Sequence, residues 1–317
     1  MTNKVFSLIN YIGHKSKIID VILDNVPKTL DGVFWDIFSG SSVVGLSTPF
    51  GKVNFVDNNP HLQNLYLNLQ DPNFIDTLEK LIDNYSLTNT TKKPRSEYLK
   101  DPNIGTCTWQ GETVSNMHLD QLNKKGYMSL LKDYNNNKYQ NLDKACAYMI
   151  LTIYGRNSNV TTKADGKLTG GVGPLDFSPR TKQKYHKHLE VMKDRDLDWL
   201  TGSFKDITPT KDDFVYLDPP YLASGFKYSG WTEDDERSLL DWIDNLPCDW
   251  ALSNVFTSGT TKNSILYDWA QNHNVIKIDK KYRKWAAKGK STAERKNKKN
   301  EEVLILKKYL TNNTNVL

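Results

Sequence analysis

Cysteine is scarce in this 317-residue chain: Cys107, Cys146 and Cys248 are the only three. They stand far apart, without the close spacing of a metal-binding motif, and suit a reducing compartment. No run approaches the ~20 apolar residues that a membrane helix needs. No long apolar stretch follows the basic residue near the N-terminus, so no secretory leader is expected. A strong charge imbalance is also missing. The net charge of +5 permits a nucleic-acid partner without demanding one. These absences favour a cytoplasmic protein without metal or membrane.

What is present is an ordinary globular composition, 38% hydrophobic and 25% charged. The length suffices for a substantial core in one large or two smaller domains. Charge is unevenly placed. Lys280 to Lys299 holds ten Lys or Arg and a single acid, Glu294. That stretch is too polar to pack. It reads as a loop whose Lys280, Lys281 and Arg283 can pair with phosphates, giving sequence-independent affinity.

The segment FVYLDPPYLASG, residues 214–225, organises the rest. Phe214 to Leu217 is a continuous apolar run, the pattern of a strand buried in a parallel sheet. Asp218 stands where that strand ends, because Pro219 and Pro220 have no N–H to continue a ladder. Tyr221 follows on a stiff loop. In open α/β sheets, ligands bind at this carboxyl edge. A carboxylate and the Pro219 carbonyl can accept the two N–H groups of an exocyclic aromatic amine, and Tyr221 can stack on a flat base. This arrangement suits methyl transfer to such an amine. Pro247-Cys248 resembles the nucleophile of C5-cytosine methylation. It follows a helix and precedes a strand, however, so a structural role is expected.

Upstream, Ile19, Ile22, Leu23 and Val26 have helical spacing, with Pro27 beyond them. Tyr11, Gly13 and Lys15 occupy the turn before. Val33 to Phe38 reads as a strand, and Ser39-Gly40-Ser41-Ser42 as a tight turn into a short helix. The loop is glycine-poor, with Gly40 alone where two or three are usual. Val53 to Val56 is a second strand ending at Asp57-Asn58-Asn59. Asp57 is placed either to bind ribose hydroxyls or to cap the helix that Leu62, Leu65 and Leu69 begin.

From about Asp71 to Asp196 the α/β alternation stops. Phe74, Leu78, Leu81 and Ile82 mark one amphipathic helix; Cys146, Met149, Ile150 and Ile153 mark another. Residues 154–175 carry five glycines, and Asp165-Gly166 between polar runs signals a hairpin. Arg156, Asn157, Asn159, Thr161, Thr162 and Lys163 are side chains able to reach base edges. Beyond the Asp-Pro-Pro-Tyr loop, Thr232 and Asp235 form a capping-box signal for a helix with Leu239, Trp242, Ile243 and Leu246 on its apolar face. Tyr228 and Trp231 precede it, as walls of a base pocket or as plain packing. A strand ending at Asn254, a helix from Ser264 to His273, and two antiparallel strands in VIKID and EEVLIL complete the pattern.

The order of YxGxK, then DxFSG, a strand ending in Asp, a long insert and DPPY resembles the DNA adenine methylase (Dam) family, alpha class (D12). YIGHKSKIID, FVDNNP, DFVYLDPPYL, LSNV and KKYRK are most similar to phage-encoded members. The resemblance implies a Rossmann-like α/β core, residues 1–70 and 197–317, and a mainly helical target-recognition insert, residues 71–196, with its reading hairpin near 154–175. It implies methyl transfer from S-adenosylmethionine (AdoMet) to adenine N6 in double-stranded DNA, with the base flipped out, and GATC as the expected target. Donor contacts would come from Tyr11, Lys15, Asp36, Phe38, Gly40, Ser41, Ser42, Asp57, Asn58 and Asp218. Asp218, Pro219, Pro220 and Tyr221 would be the catalytic segment. Ser42 departs from the family, whose loop has a second glycine there. Arg156, Thr161, Gly171 and Val172 also depart, at positions that help read the target. N4-cytosine methylation and a DNA-binding protein that has lost catalysis are the alternatives.

Overall fold

The structure, a computed structural model, describes residues 4–9, 11, 13, 15–100, 108–109, 112–113, 119–156, 160–163, 165–223, 230–278 and 300–308. A 3-10 turn at Lys15–Lys17 leads into α1 (Ile19–Asp24), whose Ile19, Ile22 and Leu23 are buried as their spacing requires. Strand β1 (Phe34–Ile37), helix α2 (Val43–Ser47), strand β2 (Lys52–Asp57) and helix α3 (Pro60–Asn68) follow. The chain then leaves the sheet for α4 (Phe74–Asn84), the short α5 (Arg95–Tyr98), the two-residue strands β3 (Thr108–Trp109) and β4 (Glu112–Thr113), α6 (Leu119–Asn135) and α7 (Asn141–Tyr154). Strands β5 (Thr161–Thr162) and β6 (Leu168–Thr169) form the expected hairpin, with Gly166 at φ 78° in its turn. Helix α8 (Pro179–Met192) leads back to the sheet.

The return strand, β7 (Asp196–Thr201), pairs in parallel with β2. This strand is not among the expected elements, although the alternation of Leu197 and Trp199 with Asp196 and Asp198 has a strand's period of two. Next come β8 (Phe214–Leu217), α9 (Glu233–Asp244), β9 (Asp249–Ser258), β10 (Thr261–Lys262), α10 (Ser264–Trp269), β11 (Asn274–Ile278) and β12 (Glu301–Leu306). Two expectations need correction. β9 runs past Asn254 to Ser258, because β10 folds back on it and β12 pairs along it. The α7 helix is not amphipathic. Residues Ala145 to Tyr154 are all buried, so it is a central helix covered on every side.

The sheet order is β11-β12-β9-β8-β1-β2-β7, with β10 on β9. β7, β2, β1, β8 and β9 are parallel to one another, while β12 is antiparallel to both its neighbours. This is a Rossmann-like α/β architecture. Alternate residues of the strands feed two apolar clusters. Phe34, Phe214, Tyr216 and Leu304 join α1, α3, α4 and α7 on one face. Val215, Leu217, Trp250 and Ile305 join α9 and α10 on the other. β8, buried at all four positions, lies between these layers. The first cluster continues from the sheet into α4, α6, α7 and α8, so the inserted helices share a core with the sheet.

Candidate active site

β1 has β2 on one side and β8 on the other, all parallel, so their carboxyl ends open one crevice. A cavity of about 210 Å³ lies there. Of the residues expected to hold a donor or do chemistry, Tyr11, Lys15, Asp36, Phe38, Gly40, Ser41, Asp57, Asn58, Asp218, Pro219, Pro220 and Tyr221 all line it. Gly13, Val43, Val44, Tyr216 and Trp231 line it too.

The floor is a bent, tightly braced loop. Phe38, Gly40 and Ser42 all have positive φ, 60°, 47° and 54°. Glycine adopts this region freely, whereas other residues need outside support. A side chain at Gly40 would also come within 2.5 Å of the Tyr11 ring, so the ring packs directly on its Cα. Ser42 does not line the cavity. It is fully buried beneath, where its Oγ accepts the indole N–H of Trp199 at 3.0 Å. Trp199 is stacked between Phe55 and Tyr66, at 4.6 and 5.4 Å between centroids. The Tyr66 hydroxyl in turn donates to the Ser41 carbonyl at 2.7 Å.

Asp57 ends β2 and accepts two backbone N–H groups, from Gly40 at 2.9 Å and from Asn59 at 2.9 Å. The cap of α3 falls to Asn59, whose side chain accepts from the His61 N–H at 3.0 Å. Asp57 is therefore not that cap, and it ties the loop after β1 to the end of β2. Burial raises its pKa, and the two N–H bonds oppose the rise. Asp36, on β1, accepts the Gly45 N–H at 2.8 Å. Burial holds its carboxyl well above the usual carboxylate range against that bond, and the nearby Asp218 and Asp57 push it further.

Asp218 follows β8 and donates its own N–H to Ile37 at 3.2 Å, continuing the ladder one step beyond the strand. Its two carboxylate oxygens have different partners. The Lys15 ammonium bonds Oδ2, and the Tyr221 hydroxyl donates to Oδ1 at 2.9 Å. Lys15 is only 5% exposed, also donates to the Gly13 carbonyl at 2.8 Å, and lies 5.2 Å from the centre of the Tyr221 ring. Burial raises the Asp218 pKa; Lys15 and Tyr221 pull it back. Among its described lining residues the cavity thus has three carboxyl groups and one buried cation.

Residues 11–283 match the model of the D12 class N6 adenine-specific DNA methyltransferase family. The chain belongs to that family. Among relatives of this D12-class chain, modification methylase StsI of Streptococcus sanguinis is 27% identical over 98% of the chain and 44% of its own length. Type II methyltransferase M.FokI of Planomicrobium okeanokoites is 23% identical over 87% of the chain and 40% of its own length. The chain therefore spans less than half the length of these curated relatives.

In this D12-class chain, none of the described residues of 154–175 lines the cavity. Thr161, Thr162 and Lys163 are exposed on β5 and the turn after it. Arg156, expected at a base edge, is paired with Asp120 of α6 at 3.1 Å. The Asn135 side chain both donates to and accepts from the Leu168 backbone at 2.9 Å, fastening β6 to α6. Asn157, Asn159, Tyr228, Lys280, Lys281 and Arg283 lie outside the described residues. Cys248 is buried beside β9 with its thiol pushed up to about 11 by burial, consistent with a structural cysteine. Among the described residues, no helix is long and apolar enough to cross a membrane, and no group of three His, Cys, Asp or Glu is placed to hold a metal ion.

Proposed function

We propose that this chain methylates N6 of adenine in double-stranded DNA, with AdoMet as the donor and the target base flipped from the duplex. The observation that carries this reading is the placement of Asp218, Pro219, Pro220 and Tyr221 on the same cavity as Asp57 and the Phe38-to-Ser41 loop. The residues present fit AdoMet. Gly40 lets the Tyr11 ring pack directly on the loop, Phe38 and Tyr11 offer apolar surface, and Asp57 keeps acceptor capacity beyond its two backbone bonds. Bound AdoMet supplies a methyl group made electrophilic by its sulfonium.

The chain's own residues do the rest. Each carboxylate oxygen has two acceptor positions. Asp218 can keep Lys15 on Oδ2 and accept an amine N–H at Oδ1, where Tyr221 now donates. The Pro219 carbonyl would take the other amine hydrogen. Two acceptors favour a more tetrahedral nitrogen and a freer lone pair. Lys15 keeps the Asp218 carboxylate oriented. Flipping costs a few kcal/mol, which stacking on Tyr221 offsets. Residues 71–196 would recognise the target through the hairpin near 154–175, with GATC as a candidate site and the basic 280–299 stretch on phosphates.

The test is incorporation of a tritiated methyl group from AdoMet into unmethylated DNA, followed by mapping of the modified base. The expected result is N6-methyladenine at one short sequence, lost in a folded Asp218→Ala protein. Full activity in that variant, or label on cytosine, would overturn the assignment.

A further inference from the structure

Glu236 lies in the first turns of α9 and is completely buried. Among the described residues no cation is paired with it. Three neutral donors satisfy it instead. The Trp231 indole N–H reaches Oε2 at 2.8 Å, while the Asn263 and Asn254 amides reach Oε1 at 2.7 and 3.4 Å. Burial raises its pKa, and those three bonds oppose the rise. An unpaired buried acid is a costly device for joining helices, since an apolar side chain would pack there without the desolvation penalty.

The identity of the three donors explains it. Asn254 is in β9 at the carboxyl side of the sheet. Asn263 caps α10 through its Oδ1, which accepts the Leu266 N–H at 3.0 Å. Both are rigid points of the scaffold. Trp231 is different. It precedes the helix and lines the cavity, and its ring meets Phe38 edge-on, 5.6 Å between centroids at 86°. Phe38 itself is held at positive φ in the loop after β1. The hydrogen bond that this indole donates to a fixed carboxylate sets the orientation of its ring.

We propose that Glu236 is a positioning residue for the methyl-donor site: it anchors Trp231 to β9 and α10, so that the indole and Phe38 together present a fixed aromatic wall to AdoMet. The inference rests on the functional reading above. All three partners are donors, so glutamine cannot replace the acid. Its NH2 would face an N–H, and one contact must break.

The experiment compares full-length wild type with Glu236→Gln, Trp231→Phe and the double variant. Equilibrium dialysis with tritiated AdoMet reads donor affinity, and steady-state kinetics read KM for donor and for DNA separately. Trp231→Phe keeps a ring and removes the N–H. The expected result is a donor Kd and KM raised about tenfold in each single variant, with KM for DNA moved less than about twofold. Because both act through one bond, the double variant should be no weaker than Trp231→Phe alone. Wild-type affinity in Trp231→Phe, multiplied losses in the double variant, or a shift in KM for DNA in place of the donor's would each overturn the proposal. If Glu236→Gln does not fold by circular dichroism, Trp231→Phe alone decides. Wild type that binds no AdoMet overturns the functional reading, and this inference with it. Wild type that binds while the variants are indifferent overturns only the inference.

Discussion

Lys15 and Asp218, 203 residues apart in sequence, are bonded to each other in the lining of the cavity. The pair joins the turn before α1 to the loop after β8, and the cation offsets part of what burial does to the acid. In the proposed reaction, ionised Asp218 is the form that would accept an amine hydrogen. Activity should therefore fall, on acidification, at a pH above the ordinary carboxylate value. Replacing Lys15 by Met removes the opposing charge, so the Asp218 pKa rises further and the acid limb of the rate–pH profile moves to higher pH. A pH profile of kcat in both proteins checks this, and an unmoved limb in Lys15→Met would contradict it.

Asp36, Asp57 and Asp218 all have raised pKa values, with burial the leading cause in each. A raised acid binds its proton more tightly folded than unfolded. Its contribution is fully present below the ordinary value of 3.8 and is lost as pH rises through the folded value. Asp36→Asn keeps an oxygen for the Gly45 N–H and removes the charge. The difference in Tm between Asp36→Asn and wild type, both without ligand, should shift in favour of the variant as pH rises from 4 towards neutrality. Thermal melts across that range test it, and a flat difference would mean that Asp36 does not titrate differently on folding.

Ser42 is in the left-handed region, which costs a non-glycine residue roughly 1–2 kcal/mol. It is also the acceptor for Trp199. Ser42→Gly relieves the strain but leaves a buried indole N–H unsatisfied, a loss of about 1–3 kcal/mol. Ser42→Ala keeps the strain and loses the bond. The expected stability order is wild type, then glycine, then alanine. In a Trp199→Phe background the order should change, with Ser42→Gly the most stable of the three. Urea unfolding of the six proteins reads both results.

Arg195 is a clamp of another kind. Its guanidinium donates to the carbonyls of Gly45, Leu46, Phe50 and Val191 and to the Thr48 hydroxyl, at 2.9 to 3.3 Å. Gly45, Leu46 and Thr48 lie at the end of α2 and Val191 at the end of α8, so one side chain closes two helix C-termini. Burial brings its pKa down to about 10. Lysine can reproduce one or two of the five bonds. Arg195→Lys should cost about 2–4 kcal/mol in urea unfolding. A loss below about 0.5 kcal/mol would show that solvent replaces the clamp.

Much of this was legible along the chain. The apolar run before Asp218, the i, i+3, i+4 spacing of α1 and α4, the Thr232–Asp235 cap and the Asp165-Gly166 turn are local signals, and each element formed where its signal stood. The misses have physical causes. β7 carries Asp at alternate positions, because it is an edge strand with exposed residues. α7 showed a stripe in a subset of its residues, yet it is covered on every face by helices whose arrangement no single segment encodes. Glu236 carries no signal along the chain, because an acid at the start of a helix is ordinary; only its burial sets it apart.

The sequence by itself determined the strand that carries Asp218, the bend after β1, and the order of the motifs, since backbone geometry and side-chain periodicity act over a few residues. Tertiary structure alone decided which groups meet: Lys15 with Asp218, Trp199 with Ser42, and Glu236 with Asn254, Asn263 and Trp231. Those pairings set the charge and rigidity of the site. They depend on which strands become neighbours in the sheet, a choice made by the packing of both its faces together.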